Sequence, residues 1–594
     1  MNFNFESTDT TIKNLFKKYT QFRIPVFQRD YSWSPSYYNQ FLDDIITSLE
    51  SRSGSTGSSD SPKNYFVGTM VLSGHKGATT IDVVDGQQRL TVITILFSAI
   101  SKRLDEIGEK KLSEATFRYV QEEDDNGELI NHLQSDSSSP FFDVFVQSLD
   151  DKYKEEEQAS TLEEESLKKT YTDFYNALSP DDLKKHSAFN NKNYKNALIL
   201  IRDQLLSATL IEITTTNKSS AYKIFEILNA KGKGLASIDL IKNSIFEKYY
   251  NDKGGLEKLA SKKWEKIQTH LRERNQNIGL LTFYRQYWLS KYERVTNVQL
   301  YDSFKRNFID SDQADSLKDQ YMKFLSDLVE ESKEYIKIVH PLLDDYDNRQ
   351  EYKPVVESLA SLYNVLGIKQ YIVLVLALMY LKKADLISLQ KLKECLRFLE
   401  SFVFMYTDMG KGQANIYEAR FSHLAIKLRR SKNKQETNKI INDDLYDNLK
   451  SKRVDGLLFT DNFTRLTYSK KKDKGDADNS LAKYVVKKIS SAYQGNESFQ
   501  EENSIEHIIN ENPSDLQTLN IGNLIALETK LNGDAGDSSY TQKKDIYSKS
   551  KNKQVRKFID ENVSFTKDDI SKRAKNLATY YYENIMKKDL KYLD

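Results

Sequence analysis

Asp82–Leu90 reads DVVDGQQRL. A strand-like run, TIDVV at Thr80–Val84, ends inside it, Asp85-Gly86 makes a tight turn, and a helical pattern follows over Gln88–Arg103. This part of the chain therefore mixes strands with helices. Gly86 permits positive φ or close approach of a ligand to the backbone. The new helix N-terminus offers free N–H groups and the positive end of a dipole, which together suit a phosphate. Gln87, Gln88 and Arg89 project from that first turn. Arginine binds phosphate in bidentate fashion, and the glutamines are placed to orient water or to read a base or ribose. Asp85 is a candidate for holding Mg²⁺ or an attacking water. The plainer reading is a helix start with solvated polar residues. No GxxxxGK[ST] occurs, so any nucleotide is held without a P-loop.

Working outward, Phe22–Phe27 (FRIPVF) is short and apolar, and Ser36–Glu50 has a helical pattern with Ser34-Pro35 as cap and first turn. Ser51–Lys63 is a Ser/Gly-rich loop, and Tyr65–Leu72 (YFVGTMVL) reads as a strand. Ile24–Trp33 (IPVFQRDYSW) sets Gln28, Arg29 and Asp30 beside Tyr31 and Trp33. This second Gln-Arg pair is expected either to meet the first across a pocket or to form an ordinary turn over core aromatics. From about Leu104 to Leu206 the chain is charged and helical, with a solvent-facing acidic stretch expected at Glu155–Glu165. Thr209–Thr216 (TLIEITTT) is expected to return as a strand to the N-terminal sheet. Helices are expected at Ser219–Leu228 and Ile238–Tyr250, with Asn229, Gly232 and Gly234 as breakers and Asp239 and Lys242 opening the second. Lys262–Tyr406 reads as a helical bundle, and the chain from Gly410 as helical with a compact irregular stretch at Asn503–Tyr547.

At 594 residues the chain is long enough for roughly three or four folding units. With 39% hydrophobic and 29% charged residues it has ample core material and reads as globular. The longest apolar run, Tyr371–Leu381, is too short for a membrane span and is expected as a buried helix. The N-terminus has neither a basic nor an apolar region of signal-peptide type. The single cysteine, Cys395, excludes an intrachain disulfide and a multi-cysteine zinc site. A cytoplasmic protein is the expectation. Net charge is +1, so a nucleic acid would have to be held by local patches. Candidates are Thr541–Asp594, with 14 Lys/Arg against 8 Asp/Glu, and the runs Lys427–Lys434 and Lys470–Lys474. Solvated helix faces explain such runs equally well.

A second cluster lies at Ser504–Tyr547. His507 follows Glu506, Asn523 comes 16 positions after the histidine, and Asn532 comes 9 further on. Phosphodiester hydrolysis at neutral pH needs a base titrating near neutrality, which histidine supplies. It also needs a hard divalent cation beside the scissile phosphate. Glu506 and Asn532 offer oxygen ligands, and Asn523 is placed to orient the imidazole. A lone histidine is otherwise an ordinary hydrogen-bonded residue, but acid-His, Asn, Asn over this span fits the ββα-metal (HNH) arrangement.

The N-terminal segments resemble the first domain of GmrSD-type, modification-dependent (type IV) restriction endonucleases, which has a ParB-like fold. The matching motifs stand at Ile24–Trp33, Tyr65–Leu72, Asp85–Arg89 and Phe225–Asn243. The C-terminal IEHI…IGNLIAL…N…K…Y resembles the HNH-type domain that ends such proteins, with Lys543 and Tyr547 as its K and Y. One departure is that Pro513 comes three residues later than the family's HIxPQ pattern has it. The resemblance implies nucleoside triphosphate (GTP, ATP or CTP) bound by Asp85, Gly86, Gln87, Gln88 and Arg89, with Gln28 and Arg29 as companions. It also implies His507 and Asn523 as catalytic residues and Glu506 and Asn532 as ligands of Mg or Mn.

The expected fold is α+β and predominantly helical. It comprises a ParB-like domain at 1–261 with a helical insertion at about 104–206, a helical region at 262–409, and a helical C-terminal domain at 410–594 carrying the HNH-like motif at 503–547. The expected function is an NTP-dependent DNA endonuclease of antiphage defence acting on modified foreign DNA, with a homo-oligomer or defence-system partner. The alternatives are a nucleotide-regulated DNA-binding sensor with an inactive HNH domain, or a nuclease directed at other nucleic acid.

Overall fold

A computed structural model describes residues 5–25, 28, 30–50, 65–75, 77–124, 126–135, 138–150, 158–216, 221, 224, 237–249, 255–275, 278–309, 316–413, 416–447, 449, 452, 454–470, 477–495 and 502–590. Helices dominate, at 66%, with one small mixed sheet, so the α+β, mainly helical expectation holds. The chain divides into two compact units, Met1–Lys262 with Phe304–Met322, and Lys263–Ser303 with Lys323–Asp594. The stretch expected as a separate helical region is thus shared between them.

Among the described residues, the sheet of the first unit has six strands: β1 (Glu6–Thr11), β2 (Gln21–Ile24), β3 (Phe66–Ser73), β4 (Thr80–Asp85), β5 (Leu133–Ser135) and β6 (Thr209–Thr215). Their spatial order is β1-β6-β3-β4-β2-β5. Strand β6 returns as expected, parallel to β3 with Val71 opposite Ile213, and antiparallel to β1. The first strand, β1, carries no apolar alternation and was not expected. Its residues are half-buried or exposed, and it is an edge strand held by its ladder.

Helix α1 (Gln87–Glu106) is apolar on nearly every face and lies in the core. Val92, Ile95, Leu96, Phe97 and Ala99 are fully buried. Helices α2 (Leu162–Ala177) and α3 (Tyr194–Ser207) from the long insertion pack on it. The insertion is therefore not only charged and helical. It supplies the edge strand β5, parallel to β2 with Leu133 opposite Phe22. Nor does its acidic stretch simply face solvent, since Glu163 is buried and accepts a hydrogen bond from Tyr31 N at 2.8 Å. Of the segment expected as a helix at Ser219–Leu228, only Ala221 and Ile224 are described, both buried against Val71, Val84 and Ile213. Asn229, Gly232 and Gly234 lie outside the described residues.

In the second unit, Ile372–Lys383 is the expected buried helix, and no helix among the described residues is long and apolar enough to cross a membrane. Cys395 is buried with Sγ 3.5 Å from the Tyr446 hydroxyl. The basic run at Lys427–Lys434 is largely engaged within the protein. Arg429 turns inward to a bidentate pair with Glu331 at 2.7 and 2.9 Å, Lys427 pairs with Asp444, and Lys434 with Asp385. Near the end of the chain, β7 (Asn503–His507) and β8 (Leu524–Glu528) form an antiparallel pair, with Glu506 opposite Ile525 and His507 opposite Leu524. A short helix, α4 (Thr529–Ala535), follows directly, then α5 (Tyr540–Tyr547).

Candidate functional site

At the DGQQR turn, Gly86 is left-handed (φ 105°), and a Cβ there would lie 2.8 Å from Met70 Cγ. Conformation and packing both require glycine. Arg89 lies against the bare backbone of Gly68 in β3, where an added Cβ would come within 2.5 Å of Nη1, and its Nη2 meets Asp85 Oδ2 at 3.3 Å. Gly68 is a neighbour of Arg89 that residue-by-residue reading of the sequence did not mark, because a glycine in a strand gives no signal of what packs on it.

The two glutamines expected to face a ligand have other duties. Gln88 donates to the Asp30 carbonyl at 3.1 Å and accepts from Ser32 N at 2.9 Å, pinning the FQRDY loop to α1. Gln28 donates to the carbonyls of Val84 at 3.2 Å and Val83 at 3.5 Å, and its own carbonyl accepts from Lys242 at 2.9 Å. Gln28 and Gln88 are thus both bound to main-chain atoms, and Arg29, the other half of the second Gln-Arg pair, lies outside the described residues. Gln28 and Gln88 position the loop. Lys242 is fully buried, and desolvation pushes its ammonium below the usual lysine range against the opposing pull of Asp30, Asp239 and Glu163. Gln87, 4% exposed, lines a polar cavity with Gln88, Thr91, Tyr31, Ser135 and Glu163. This leaves Asp85, Gly86, Arg89 and the start of α1 as the part of the motif able to meet a phosphate.

The C-terminal site is built on the β7–β8 pair. Successive side chains of β7 leave the strand on opposite faces. At its end, however, the loop carrying Tyr468 and Lys470 reaches both, with Lys470 Nζ 3.7 Å from Glu506 Oε2 and the Tyr468 carbonyl 3.0 Å from His507 Nε2. On one face, the Glu506 carboxylate is buried with Lys543. Lys543 Nζ lies 2.8 Å from Oε1, the Tyr547 hydroxyl donates to Oε1 at 3.1 Å, and Oε2 has no hydrogen-bond partner. Burial, with Glu506 beside it, raises the Tyr547 phenol far above its usual range. Lys543 also donates to the His507 carbonyl at 2.6 Å. The resemblance's K and Y thus both converge on the acid-His pair.

On the other face, His507 is 2% exposed. Its Nε2 lies 3.0 Å from the Tyr468 carbonyl, an acceptor only, so the neutral ring carries its proton on Nε2. Nδ1 is then the lone-pair nitrogen. It has no hydrogen-bond partner, with Glu511 Oε2 3.9 Å away. Burial holds the imidazole below the ordinary histidine pKa, over the opposing effects of the Tyr468 carbonyl and Glu511. Glu511 stays below the usual carboxylate range despite its own burial, held there by the Ser469 hydroxyl, the Lys470 N–H and His507. Tyr468 had no sequence signal, because its part depends on a loop 39 residues away in the chain reaching the imidazole. Lys470 was marked only as part of a basic run, and Glu511, four residues after His507, was not singled out.

Asn523 does not orient the imidazole as expected. Its amide accepts from Ile509 N at 2.8 Å and donates to the carbonyls of Ile509 and Thr518, both at 2.7 Å. It therefore fixes the turn after His507, the same turn in which Pro513 stands displaced. Asn532, on α4, donates to Ser504 Oγ at 2.7 Å and to the Ile505 carbonyl at 3.0 Å, fastening the helix to β7. Among the described residues no group of three His, Cys, Asp or Glu side chains is gathered to hold a metal. Glu506 Oε2 is nevertheless a buried acceptor without a hydrogen-bond partner, with Lys470 Nζ 3.7 Å away, and Asn532 is an amide held against the same strand. One or two protein oxygens completed by water and phosphate suit Mg²⁺ or Mn²⁺.

Two family matches accord with this geometry. Residues 12–246 match the N-terminal domain of GmrSD restriction endonucleases, and residues 458–580 match the C-terminal domain of the same proteins. No curated protein matches the chain. The matched spans take in both the DGQQR turn and the β7–β8 site, in the order that the family has them. The chain belongs to the GmrSD restriction endonuclease family.

Proposed function

We propose that the chain is a nucleotide-controlled, metal-dependent DNA endonuclease of antiphage defence that acts on modified foreign DNA, with an HNH-type site at Glu506, His507, Asn523 and Asn532. The observation that carries the reading is the setting of His507: Nε2 against the Tyr468 carbonyl, and Nδ1 without a hydrogen-bond partner, with Glu511 Oε2 3.9 Å away. An imidazole so held is ready to accept a proton from water as that water attacks a phosphodiester. Tyr468 fixes the tautomer. Lys543 braces the strand end by holding the His507 carbonyl and balancing Glu506. Asn523 keeps the following turn in place. Glu506 and Asn532 are the residues that would hold a divalent cation, which when bound supplies charge neutralisation at the scissile phosphate. In the first unit, Arg89 and the start of α1 would bind the triphosphate, with GTP, ATP and CTP all open.

The test is cleavage of plasmid and of modified phage DNA with Mg²⁺ or Mn²⁺, with and without each NTP, by wild type, His507→Ala and Arg89→Ala. Cutting that disappears in His507→Ala and loses its NTP response in Arg89→Ala is the expected result. One observation favours a second reading. Lys543 already neutralises Glu506, which is what a DNA-binding sensor without a metal would need. Nucleotide-dependent DNA binding with no nicking under any of these conditions would select that reading.

A further inference from the structure

Helices α6 (Lys553–Glu561) and α7 (Lys567–Tyr581), with Tyr493 from the helix Ala477–Gln494, line a polar cavity of about 300 Å³. That is the lower end of the range for ligand pockets. The nuclease reading makes no use of it. Tyr493 and Tyr580 stack in its wall with ring centroids 4.3 Å apart. Gln554, 5% exposed, lines it with a buried Oε1 that has no hydrogen-bond partner. Asn576 adds a second amide.

The cations there are Lys557, Lys572 and Arg573. Of the carboxylates, Asp569 is engaged in capping Thr566 at 2.9 Å, and Glu561 sits 3.7 Å from Lys557. Arg573 has no ion-pair partner among the described residues. It lies over the Phe558 ring, and its Nη1 donates to the carbonyls of Gly522 at 2.7 Å and Leu524 at 2.9 Å. Those carbonyls flank Asn523. A Cβ on Gly522 would lie 2.1 Å from the Ile570 carbonyl, so α7 bears directly on that turn.

An aromatic wall, unengaged amides and surplus positive charge call for a ligand with a flat face, a hydrogen-bonding edge and an anionic group. The geometry points to this cavity as the seat of one unstacked nucleotide of the nucleic-acid substrate. Its base packs against the Tyr493–Tyr580 pair, its edge meets Gln554 and Asn576, and its phosphate lies by Lys557 and Lys572. This deepens the nuclease reading and rests on it for the identity of the ligand. Because Arg573 and α7 brace the Asn523 turn, a filled cavity also stiffens the loop after His507.

The test is fluorescence anisotropy on the full chain in EDTA, where no cutting occurs, with a labelled single-stranded DNA and the same strand made abasic. The base-bearing strand is expected to bind roughly fivefold or more tightly than the abasic one. Tyr580→Ala or Asn576→Ala narrows that gap, and Lys572→Ala weakens both strands alike and flattens the salt dependence. Asn576 is exposed, so its variant tests the cavity even where Tyr580→Ala disturbs folding. Equal affinity for the two strands, or a gap unchanged in both Asn576→Ala and a folded Tyr580→Ala, overturns the proposal. A wild type that shows the gap but never cuts leaves the cavity standing and removes the nuclease reading, whereas one that cuts without the gap removes the cavity alone.

Discussion

The DGQQR turn and the β7–β8 site are both short polar motifs set at the end of a strand, yet they handle their polar groups in opposite ways. Around the turn, Gln28, Gln88 and Lys242 bond to main-chain atoms, and Asp85 bonds to Arg89. Around the β7–β8 pair, Glu506 Oε2, His507 Nδ1 and Asn510 Oδ1 are buried acceptors without hydrogen-bond partners, the first two only loosely met by Lys470 at 3.7 Å and Glu511 at 3.9 Å. Unbonded buried acceptors are costly, and folded proteins keep few of them. The first region is thus a braced frame that presents one arginine and one helix start. The second keeps acceptors open at the end of its strand.

The comparison can be broken most directly at His507. His507→Ala is expected to lower cleavage by about 10²–10⁴-fold, the usual scale for a general base. DNA binding should stay unchanged. A comparable loss of binding would mean that the imidazole holds the structure rather than performing chemistry. Next comes Lys543→Met, which leaves Glu506 buried with only Lys470, 3.7 Å away, as a cation. Urea unfolding should show a loss of about 3–5 kcal/mol. If added Mn²⁺ restores part of that stability, the vacated carboxylate takes a metal, and no restoration would count against Glu506 as a ligand.

The braced frame is probed by Gly86→Ala, which meets both a positive φ and the Met70 side chain. A loss of roughly 1–3 kcal/mol is expected, together with loss of any NTP response. A fully stable variant would show that the turn can relax.

The smallest effect is on pH. Burial lowers the His507 pKa below its usual value of 6.5, so the folded protein keeps the neutral base where a free histidine is already protonated. The acidic limb of the cleavage rate should therefore fall below pH 6.5. Its stability contribution runs the same way. It is complete above pH 6.5 and lost as the pH falls from there toward the folded value, because the unfolded chain takes up the proton first. A limb at or above pH 6.5 would place His507 in a wetter or more acidic setting. Glu511, Lys470 and Glu506 are the charged groups acting on it.

Much of the frame was legible in the residues. Strand-turn-helix at Thr80–Arg103, the return of Thr209–Thr216 and the buried Tyr371–Leu381 helix all follow from apolar periodicity and turn chemistry, which are local properties. Strand β1 and the β5 contribution of the insertion were not legible. Each is too short or too polar to show a pattern, and each exists because a neighbouring strand supplies its ladder.

The same divide runs through the two sites. The motifs by themselves carried the resemblance to the family, and the residue types and spacing gave the chemistry on offer and which histidine, acid and asparagines to watch. Tertiary structure alone decided their roles. It set Asn523 to hold a turn instead of the imidazole and Gln88 to pin a loop instead of facing a ligand, and it gave Lys543 to Glu506 and the Tyr468 carbonyl to His507. A sequence names donors and acceptors. Which of them remain open once folded depends on backbone groups brought from far along the chain, and a main-chain carbonyl leaves no mark in the alphabet of side chains.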